Sequence, residues 1–436
     1  MKKQTDAVEL AHALWSARSA LTAKRERLKQ FTYGDQWRDT VRDSDGVTLS
    51  ERDMLLKEGM RPLTNNLIRR LVKTIVGRYR DVAETAGWYD PAPDGADSAG
   101  LHDELDSRLL EEFLISGQAI QRVADDNPLG NCRPTAENVS PDVFFVNDFR
   151  DPRGYDVDVV GMLHDMSPGE MMMRFGTTRG RRDEIDGIIS RAATEASECG
   201  LSFSARNTEP AGVSFRRART GRVRVIELWT REYFASMNDD SAGPGLVWRC
   251  RWLTPDGLVL GDYRSPWRHG RHPFVFKFYP LIDGEIHPFV EDLVGQQQHI
   301  NRLIVLIDRV MSSSAKGVLL YPVNQLPRGL TLQDVAENWA SPTGILPITG
   351  APGPLPQQMA TNGGDTQAHR LLEIELKLFQ DSSGVSDALS GASVTGGNTG
   401  ADLYRQQVTN ATIALADILK TFRSGIAARD RLLSAL

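Results

Sequence analysis

The stretch IHPFVEDLVGQQQHINRLIVLIDRVM, residues 286–311, says most about how this chain folds. Its apolar residues recur at alternating steps of four and three, which is the spacing of one face of a helix. This series, called the seam below, consists of Ile286, Val290, Leu293, Ile300, Ile304, Ile307 and Met311, with Gln297 as its one polar member. About 25 residues of helix span about 38 Å. The pattern predicts a long helix that buries a narrow stripe against neighbouring helices.

Two contrasting insertions follow the seam. Seven prolines lie between positions 322 and 356, where a helix cannot continue. A second helix is predicted at 366–381. The segment 384–400 then has five glycines and no Lys or Arg, and a third long helix is predicted from 401. A chain that leaves along one helix and returns along another indicates a stalk. Because two or three such helices do not close a core of their own, the layout indicates a ring of copies.

Composition narrows the class of protein. A chain of 436 residues holds two to four structural modules, and 40% hydrophobic with 25% charged residues is ordinary for a folded protein. The net charge of −6 argues against a protein that grips nucleic acid over its whole surface, although not against one that lets it pass. The sequence shows neither a secretory apolar region nor a membrane-length apolar run. Cys132, Cys199 and Cys250 are far apart and predict reduced thiols in a cytosolic setting.

Periodicity before the seam predicts helices first and strands afterwards. A helix from Thr5 to Gln30 is expected, then one capped by Ser50, one capped by Asn65 or Asn66, and one over 98–116. Ser167 with Pro168 predicts a further helix start. Alternating patterns predict strands near 143–146, 222–234, 246–252, 258–263 and 272–280, and residues 176–221 read as a polar, mobile excursion. The predicted fold class is α+β, with a central antiparallel sheet between leading and closing helices.

Catalytic motifs are not found in the sequence. There is no phosphate-binding GxxxxGK[ST] loop, no GxSxG, no HExxH and no zinc-deaminase signature. His269 and His272 are close enough to share a metal, with Cys250 as a third ligand, but their position beside a strand entry is favoured. Carboxylate pairs such as Glu111-Glu112 and Asp125-Asp126 do not indicate acid/base catalysis by themselves, because the sequence does not give the distance between their side chains. We expect no catalytic residue, no metal and no cofactor.

Two clusters of arginines can be interpreted in two ways. The first cluster contains Arg179, Arg181 and Arg182, and the second contains Arg216, Arg217, Arg219, Arg222 and Arg224. Arginines at this density suit phosphate contacts. A solvated or inter-subunit salt-bridge role is favoured instead, because acidic residues intervene at Asp183, Glu184, Asp186 and Glu227.

Five segments, in order, carry a resemblance to a known family. Phe31–Trp37 is similar to the pattern F-x-x-G-x-Q-W, and Arg61–Asn66 with the helix up to Gly77 is similar to R-P-x-x-x-N…G. Phe144–Asp158 resembles a strand followed by an Asp-Pro turn. Pro280–Asn301 is similar to G-x-V-x-D-L-x-x-x-Q-x-x-x-N, and Gly384–Gly400 to a G-V-S…G passage. Together these segments resemble portal proteins of tailed bacteriophages, the rings at the unique capsid vertex through which DNA is packaged and ejected.

The resemblance implies an architecture and a set of partners. A portal forms a ring of twelve subunits in the virion, assembled in the host cytoplasm, and double-stranded DNA passes through its channel. It contacts terminase during packaging, a head-completion or tail adaptor protein afterwards, and the major capsid protein around it. It is a passive conduit and not an enzyme, because the packaging ATPase is a separate protein. No cofactor and no membrane are implied.

The resemblance also divides the chain. The implied modules are a wing at 1–285, stem helices at 286–315 and 366–383, a clip at 316–365, a tunnel loop at 384–400, and a wing spine helix with any reduced crown at 401–436.

Three groups of site residues follow from the resemblance and from the residue types. The DNA-facing tunnel loop is expected to use Ser386, Asp387, Ser390, Ser393, Thr395, Asn398 and Thr399. Its glycines make it costly to order, and its nearly uncharged surface favours sliding over capture. Inter-subunit stem contacts are expected from Ile286, Val290, Leu293, Ile300, Ile304 and Ile307. The partner-facing clip residues are expected to be Tyr321, Asn324, Gln325, Arg328, Asp334 and Trp339.

Two alternatives stay open. A monomeric adaptor or scaffold protein of the virion would share the lack of catalytic motifs. A nucleic-acid-processing enzyme is less favoured, because it would need metal-ligand or carboxylate clusters.

Overall fold

The structure is a computed structural model of the chain. It describes residues 2–43, 45–85, 98–124, 134–200, 213–219, 221–234, 245–314, 318–340, 345–350, 352–359, 364–385, 413 and 415–436. The fold is mixed α+β, which confirms the predicted class.

The helices and strands are numbered in chain order. The helices are α1 (Lys2–Ala17), α2 (Ser19–Tyr33), α3 (Glu51–Lys57), α4 (Leu67–Thr85), α5 (Ser98–Ser116), α6 (Pro168–Phe175), α7 (Arg179–Gly200), α8 (Glu291–Ser314), α9 (Leu332–Ala340), α10 (Gly364–Ser383) and α11 (Ala416–Ala435). The strands are β1 (Thr40–Arg42), β2 (Thr48–Ser50), β3 (Gln118–Ala124), β4 (Thr135–Asn138), β5 (Phe144–Val146), β6 (Val159–Met166), β7 (Val223–Phe234), β8 (Gly245–Leu253), β9 (Val259–Arg264), β10 (Phe274–Phe278), β11 (Leu281–Ile282), β12 (Glu285–Ile286), β13 (Val318–Leu320) and β14 (Gln357–Met359).

The chain divides into two compact units. Unit 1 contains Met1–Asp35, Asn66–Val294 and Ser382–Leu436, and unit 2 contains Gln36–Asn65 and Gly295–Asp381. The expected module 1–285 is therefore interrupted, because Gln36–Asn65 groups with the segments expected to form the stem and the clip.

A five-stranded antiparallel sheet forms the centre of unit 1, in the order β5-β6-β7-β8-β9. One face packs on α1, where Ala7 and Ala11 meet Leu228. The other face packs on α6 and α7, where Met171 meets Trp229. Because both faces are covered, the first eight residues of β7 are all buried. The predicted central antiparallel sheet is confirmed.

Helix caps and a turn that short stretches of the sequence predict are also confirmed. Ser167 and Glu170 form a capping box at the start of α6, with Ser167 N donating to Glu170 Oε2 at 2.7 Å. The turn between β8 and β9 has Gly257 at φ +85°, and its N–H donates to Thr254 O at 2.9 Å. Asn66 caps α4 by accepting from Arg69 N at 3.0 Å.

The prediction of a single helix over 5–30 is wrong at Arg18. This residue separates α1 from α2, and its buried guanidinium donates to Gln118 Oε1. It lies over the rings of Phe144 and Phe278, 5.7 and 5.1 Å from their centres. Burial lowers the pKa of Arg18 to about 10. The break between the two helices allows the guanidinium of Arg18 to reach the interior.

The prediction of a mobile excursion over 176–221 is wrong for Arg179–Gly200, which forms α7. Ile185 and Ile188, one turn apart, are buried in the core with Met171 and Phe175 of α6. The apolar face of α7 is narrow, so the segment is polar on average and its composition did not indicate a helix.

A second sheet in unit 1, ordered β10-β3-β4, supports α11. Phe422 of α11 packs against the rings of Tyr79 and Phe113, with ring centres 5.5 and 5.6 Å apart. Arg429 makes a buried ion pair with Asp106 of α5. These contacts fix the C-terminal helix on unit 1.

The two sheets are joined by a buried ionic network. Arg122 Nε of β3 donates to Glu227 Oε2 of β7 at 2.9 Å, and His164 Nε2 lies 2.7 Å from the same oxygen. Trp229 Nε1 donates to Glu227 Oε1 at 2.9 Å. Burial alone would raise the pKa of Glu227, but the charge of Arg122 and the hydrogen bond from His164 outweigh it and hold that pKa well below its ordinary value. The carboxylate is therefore ionised and fully partnered.

Replacing Glu227 with glutamine is expected to lower the free energy of unfolding by about 3 kcal/mol, because the buried Arg122 would lose its one buried counter-charge among the described residues. A lowered folded-state pKa stabilises the fold fully above the ordinary value of 4.5, and this stabilisation is lost as the pH falls below it. Glu227→Gln should therefore also flatten the acid dependence of stability. Chemical denaturation at several pH values measures both effects.

The matched control is Glu137→Gln, which removes the exposed partner of the same arginine, 3.5 Å away. Exposed pairs contribute about 0–1 kcal/mol. Equal losses for the two variants would contradict the assigned role of Glu227.

Unit 2 contains the β1–β2 hairpin, α3, most of α8, the β13–β14 pair, α9 and α10. Ser50 Oγ accepts from Asp53 N at 3.1 Å, which confirms the predicted cap of α3. The 24 residues of α8 span about 36 Å. This helix begins at Glu291, so Ile286 lies in β12 and Val290 precedes the helix. None of the described helices is long and apolar enough to cross a membrane.

Candidate functional site

A cluster of buried amides lies beside α8 in unit 2. Gln297 and Asn301, one turn apart on α8, are both buried, and so is Gln36. Gln297 Nε2 donates to Asn301 Oδ1 at 3.0 Å and to Asn65 O at 2.6 Å. Asn301 Nδ2 donates to Gln36 Oε1 at 2.6 Å, and Asn301 Oδ1 accepts from Asn65 N at 3.1 Å. We call Gln36, Asn65, Gln297 and Asn301 the amide cluster.

Further polar contacts flank the amide cluster along α8. Gln298 Nε2 donates to Asp39 Oδ2 at 2.7 Å, and Arg302 pairs with the buried Glu51 at the start of α3. Arg309 lies 3.7 Å from Glu58, which follows α3. The 36–65 segment is therefore attached to α8 over more than two turns of the helix.

The amide cluster brings together three of the five segments that carry the family resemblance. Phe31–Trp37 supplies Gln36, Arg61–Asn66 supplies the backbone of Asn65, and Pro280–Asn301 supplies Gln297 and Asn301. The sequence had shown Gln297 only as the polar exception in an apolar seam. Its hydrogen bond to the carbonyl of Asn65, 232 residues earlier, explains why an amide is present there.

Replacing Asn301 with alanine is expected to lower the free energy of unfolding by about 3 kcal/mol, because Gln36 and Gln297 would lose buried partners. The amide proton of Asn65 should also exchange faster with solvent. Chemical denaturation and hydrogen exchange measure the two effects. Asp308→Ala, an exposed change on the same helix, is the control. Normal protection of Asn65 in Asn301→Ala would show that the amide cluster does not hold this segment.

The chain itself buries most of the seam. Ile286, Val290, Leu293, Ile300 and Ile307 are buried, and Ile304 is half-buried. Ile286 packs directly on Gly117 (φ +69°), where an added Cβ would lie 2.6 Å from Ile286 Cγ2. The chain itself thus buries all of these residues except the half-buried Ile304, and the expected inter-subunit contacts of the seam stay a prediction. A periodic stripe predicts burial, but it does not tell which chain provides it.

Three of the exposed apolar side chains lie on α10. Leu371, Ile374 and Leu378 are 41%, 49% and 46% exposed, and their spacing places them on one face of the helix. We call these three residues the α10 stripe. Leu306 and Met311 on α8 are also about half exposed. Single exposed leucines are normal on protein surfaces, but a contiguous stripe marks an interaction site.

The expected clip residues are partly misassigned. Asn324 and Arg328 are exposed, and Tyr321, Asp334 and Trp339 are half-buried. Gln325 is buried, so it is not partner-facing. Its carbonyl accepts from Thr349 N at 3.0 Å, and Tyr321 Oη donates to Pro347 O at 2.7 Å. These bonds close the turn that contains Gln325.

Apolar side chains provide much of the exposed surface of the expected clip, which sequence reasoning missed. The most exposed are Ile345 at 83%, Val323 at 69% and Leu355 at 60%. Ile345 and Leu355 lie outside the helices and strands, and Val323 lies in a single 3₁₀ turn, so no periodic pattern predicts their exposure.

The tunnel-loop residues Ser386, Asp387, Ser390, Ser393, Thr395, Asn398 and Thr399 all lie outside the described residues.

The histidine pair does not form a metal site. His269 Nδ1 accepts from Arg271 N at 3.0 Å, and His272 Nδ1 accepts from Phe274 N at 3.2 Å. Burial, with the nearby charge of Arg271, lowers the pKa of His272 to about 3. Within the described ranges, no group of three or more His, Cys, Asp or Glu residues is arranged to hold a metal ion.

No protein-family model matches this chain, and no curated protein matches it significantly. The class of protein is therefore inferred from the residues and their geometry.

Proposed function

We propose that this chain is a portal protein, which forms a ring at the unique capsid vertex of a tailed bacteriophage. The ring would be a passive channel for packaging and ejection of double-stranded DNA. It would also be the docking platform for terminase, for a head-tail adaptor protein and for the major capsid protein. In this proposal unit 2 provides the stem and the clip, and unit 1 provides the wing.

The observation that carries the proposal is the α10 stripe. Fully burying a leucine or isoleucine contributes about 1.5–3 kcal/mol, so covering three nearly half-exposed side chains contributes about 1 kcal/mol each. Repeated around a closed ring, this gain occurs at every subunit boundary. A ring needs a heterologous interface, in which one surface of a subunit contacts a different surface of the next. In this proposal the α10 stripe is one of these surfaces, and the exposed Leu306 of α8 belongs to the other.

The amide cluster supports the assignment of the class. The resemblance depends on short segments scattered along the chain, and three of them meet through hydrogen bonds of 2.6–3.1 Å. Segments that are similar to one family by chance have no reason to converge on one buried cluster. The exposed apolar side chains at Val323, Ile345 and Leu355 support docking of a protein partner on the clip.

The experiment introduces a charge into the α10 stripe. Ile374→Asp is expected to shift the native mass from a ring towards the single chain, because each subunit boundary would then contain a desolvated, unpaired carboxylate. Circular dichroism should show that the variant remains folded, because Ile374 is about half exposed within the chain. Native mass spectrometry measures the assembly state.

The matched control is Gln380→Asp, which places the same carboxylate at an exposed polar position on the side of the same helix that faces away from the α10 stripe. It is expected to form rings of wild-type mass. If Ile374→Asp also forms normal rings, the α10 stripe is not an assembly surface. A wild-type chain that is monomeric at every concentration would favour the virion adaptor or scaffold alternative instead.

A further inference from the structure

A short segment after α7, which extends into the first residues of β7, contains several arginines. It consists of residues 213–219 and 221–224, and it carries Arg216, Arg217, Arg219, Arg222 and Arg224. We call it the arginine segment. No acidic residue occurs between positions 213 and 224. It belongs to unit 1, in the region for which the family resemblance offers no counterpart.

An aromatic anchor holds one end of the arginine segment. Phe215 is buried against α1 and the five-stranded sheet, with its ring centre 4.8 Å from the imidazole of His12. Arg217 N donates to Ser214 Oγ at 3.3 Å, which forms a turn immediately after the anchor. Arg216 and Arg217 follow Phe215 directly and are exposed. Burial of one ring thus presents two guanidinium groups to solvent.

A buried arginine holds the other end. Arg224 of β7 is buried, and its Nη2 donates to the carbonyl of Arg217 at 2.6 Å. Its Nε lies 3.2 Å from Asp165 Oδ1. Arg222 Nη1 donates to the carbonyl of Asp165 at 2.8 Å, and Arg222 N donates to Arg219 O at 3.0 Å. The backbone that carries the exposed arginines is therefore fixed by hydrogen bonds.

The salt-bridge role expected for the arginine clusters is met in part. Glu184 pairs with Arg181 of the first cluster at 3.0 Å, while Glu227 is buried with Arg122 and His164. Among the described residues, Asp165 lies 4.0 Å from Arg219, and Glu170 lies 3.9 Å from Arg222. The side chain of Arg219 is 88% exposed.

The charge balance is therefore positive at this place. In the part of the chain that the structure describes, the four exposed arginines Arg216, Arg217, Arg219 and Arg222 lie in one short segment, and the carboxylates within 4.0 Å of its arginines are Asp165 and Glu170, on a chain whose net charge is −6. All the cations are arginines, whose planar forks bind phosphate oxygens bidentately. A run of arginines with no acidic residue between them in the sequence fits the evenly spaced charges of a phosphate backbone better than a protein surface of mixed sign.

We propose that the arginine segment is a docking surface for the phosphate backbone of double-stranded nucleic acid. This surface lies within unit 1 and does not require a ring, so it goes beyond the proposed channel. Contacts to phosphates are independent of sequence, and their strength falls steeply as salt is added. The surface would hold duplex nucleic acid reversibly against the outside of the fold.

The test uses the full chain and a short fluorescent DNA duplex, with binding followed by fluorescence anisotropy over a series of salt concentrations. The variant is Arg216→Gln combined with Arg219→Gln. Removing two phosphate contacts should reduce the slope of log affinity against log salt by about 2, with affinity at least about tenfold weaker at low salt. The control is Arg191→Gln with Arg268→Gln, which removes two exposed arginines elsewhere in unit 1. It should leave both quantities at their wild-type values.

Three results would overturn the proposal. They are no duplex binding by the wild-type chain, equal effects of the variant and the control, or displacement of the duplex by polyglutamate as effective as by polyphosphate at equal charge. The last result would assign the surface to an acidic protein. Both double variants are expected to keep the native mass of the wild type. A failure of this proposal is therefore distinguishable from a failure of ring assembly.

Discussion

An amide side chain that leaves water must find partners for both its oxygen and its nitrogen, and unit 2 is organised around this requirement. Gln297 and Asn301 sit on the buried face of α8, where an uninterrupted seam would place apolar residues. Their partners come from Gln36 and from the backbone of Asn65. An apolar pair would tolerate several packings of the 36–65 segment on the helix. Amides with directional bonds specify one of them, because any shift leaves buried polar groups unpaired.

The same requirement applies to unit 1, where the buried polar groups are charged side chains. Arg122, His164 and Glu227 are acceptable in the interior because each has a partner at hydrogen-bond distance, and Arg18 is covered by two aromatic rings and Gln118. These buried polar groups find their partners within the chain. Exposed apolar side chains include the α10 stripe and several residues of the expected clip. Such exposed apolar surface favours assembly with other chains.

Features encoded over a few residues could be predicted from the sequence. Ser50, Asn66 and Ser167 cap helices as expected, since a cap needs only its own first turn. β3 was missed because Gln121 and Arg122 make it look polar, and both are buried only through distant partners, Asn138 and Glu227. The exposed partner-facing role assigned to Gln325 failed for a similar reason. Its burial depends on the turn that Tyr321 and Thr349 close.

The seam shows the limit of periodicity most clearly. Alternating steps of four and three identify a buried face, and five of the six residues assigned to the stem interface are buried as that pattern requires. The pattern does not tell whether the covering atoms belong to the same chain or to another. In the fold, the chain covers most of the seam but leaves Met311 and the α10 stripe about half exposed.

The central claim is that copies of this chain close into a ring around a channel. Electron microscopy of the purified wild-type protein, viewed end-on, tests it most directly. The account predicts closed rings of uniform subunit number with a central hole wide enough for a DNA duplex. Discrete single chains, or open filaments without a central hole, would contradict it.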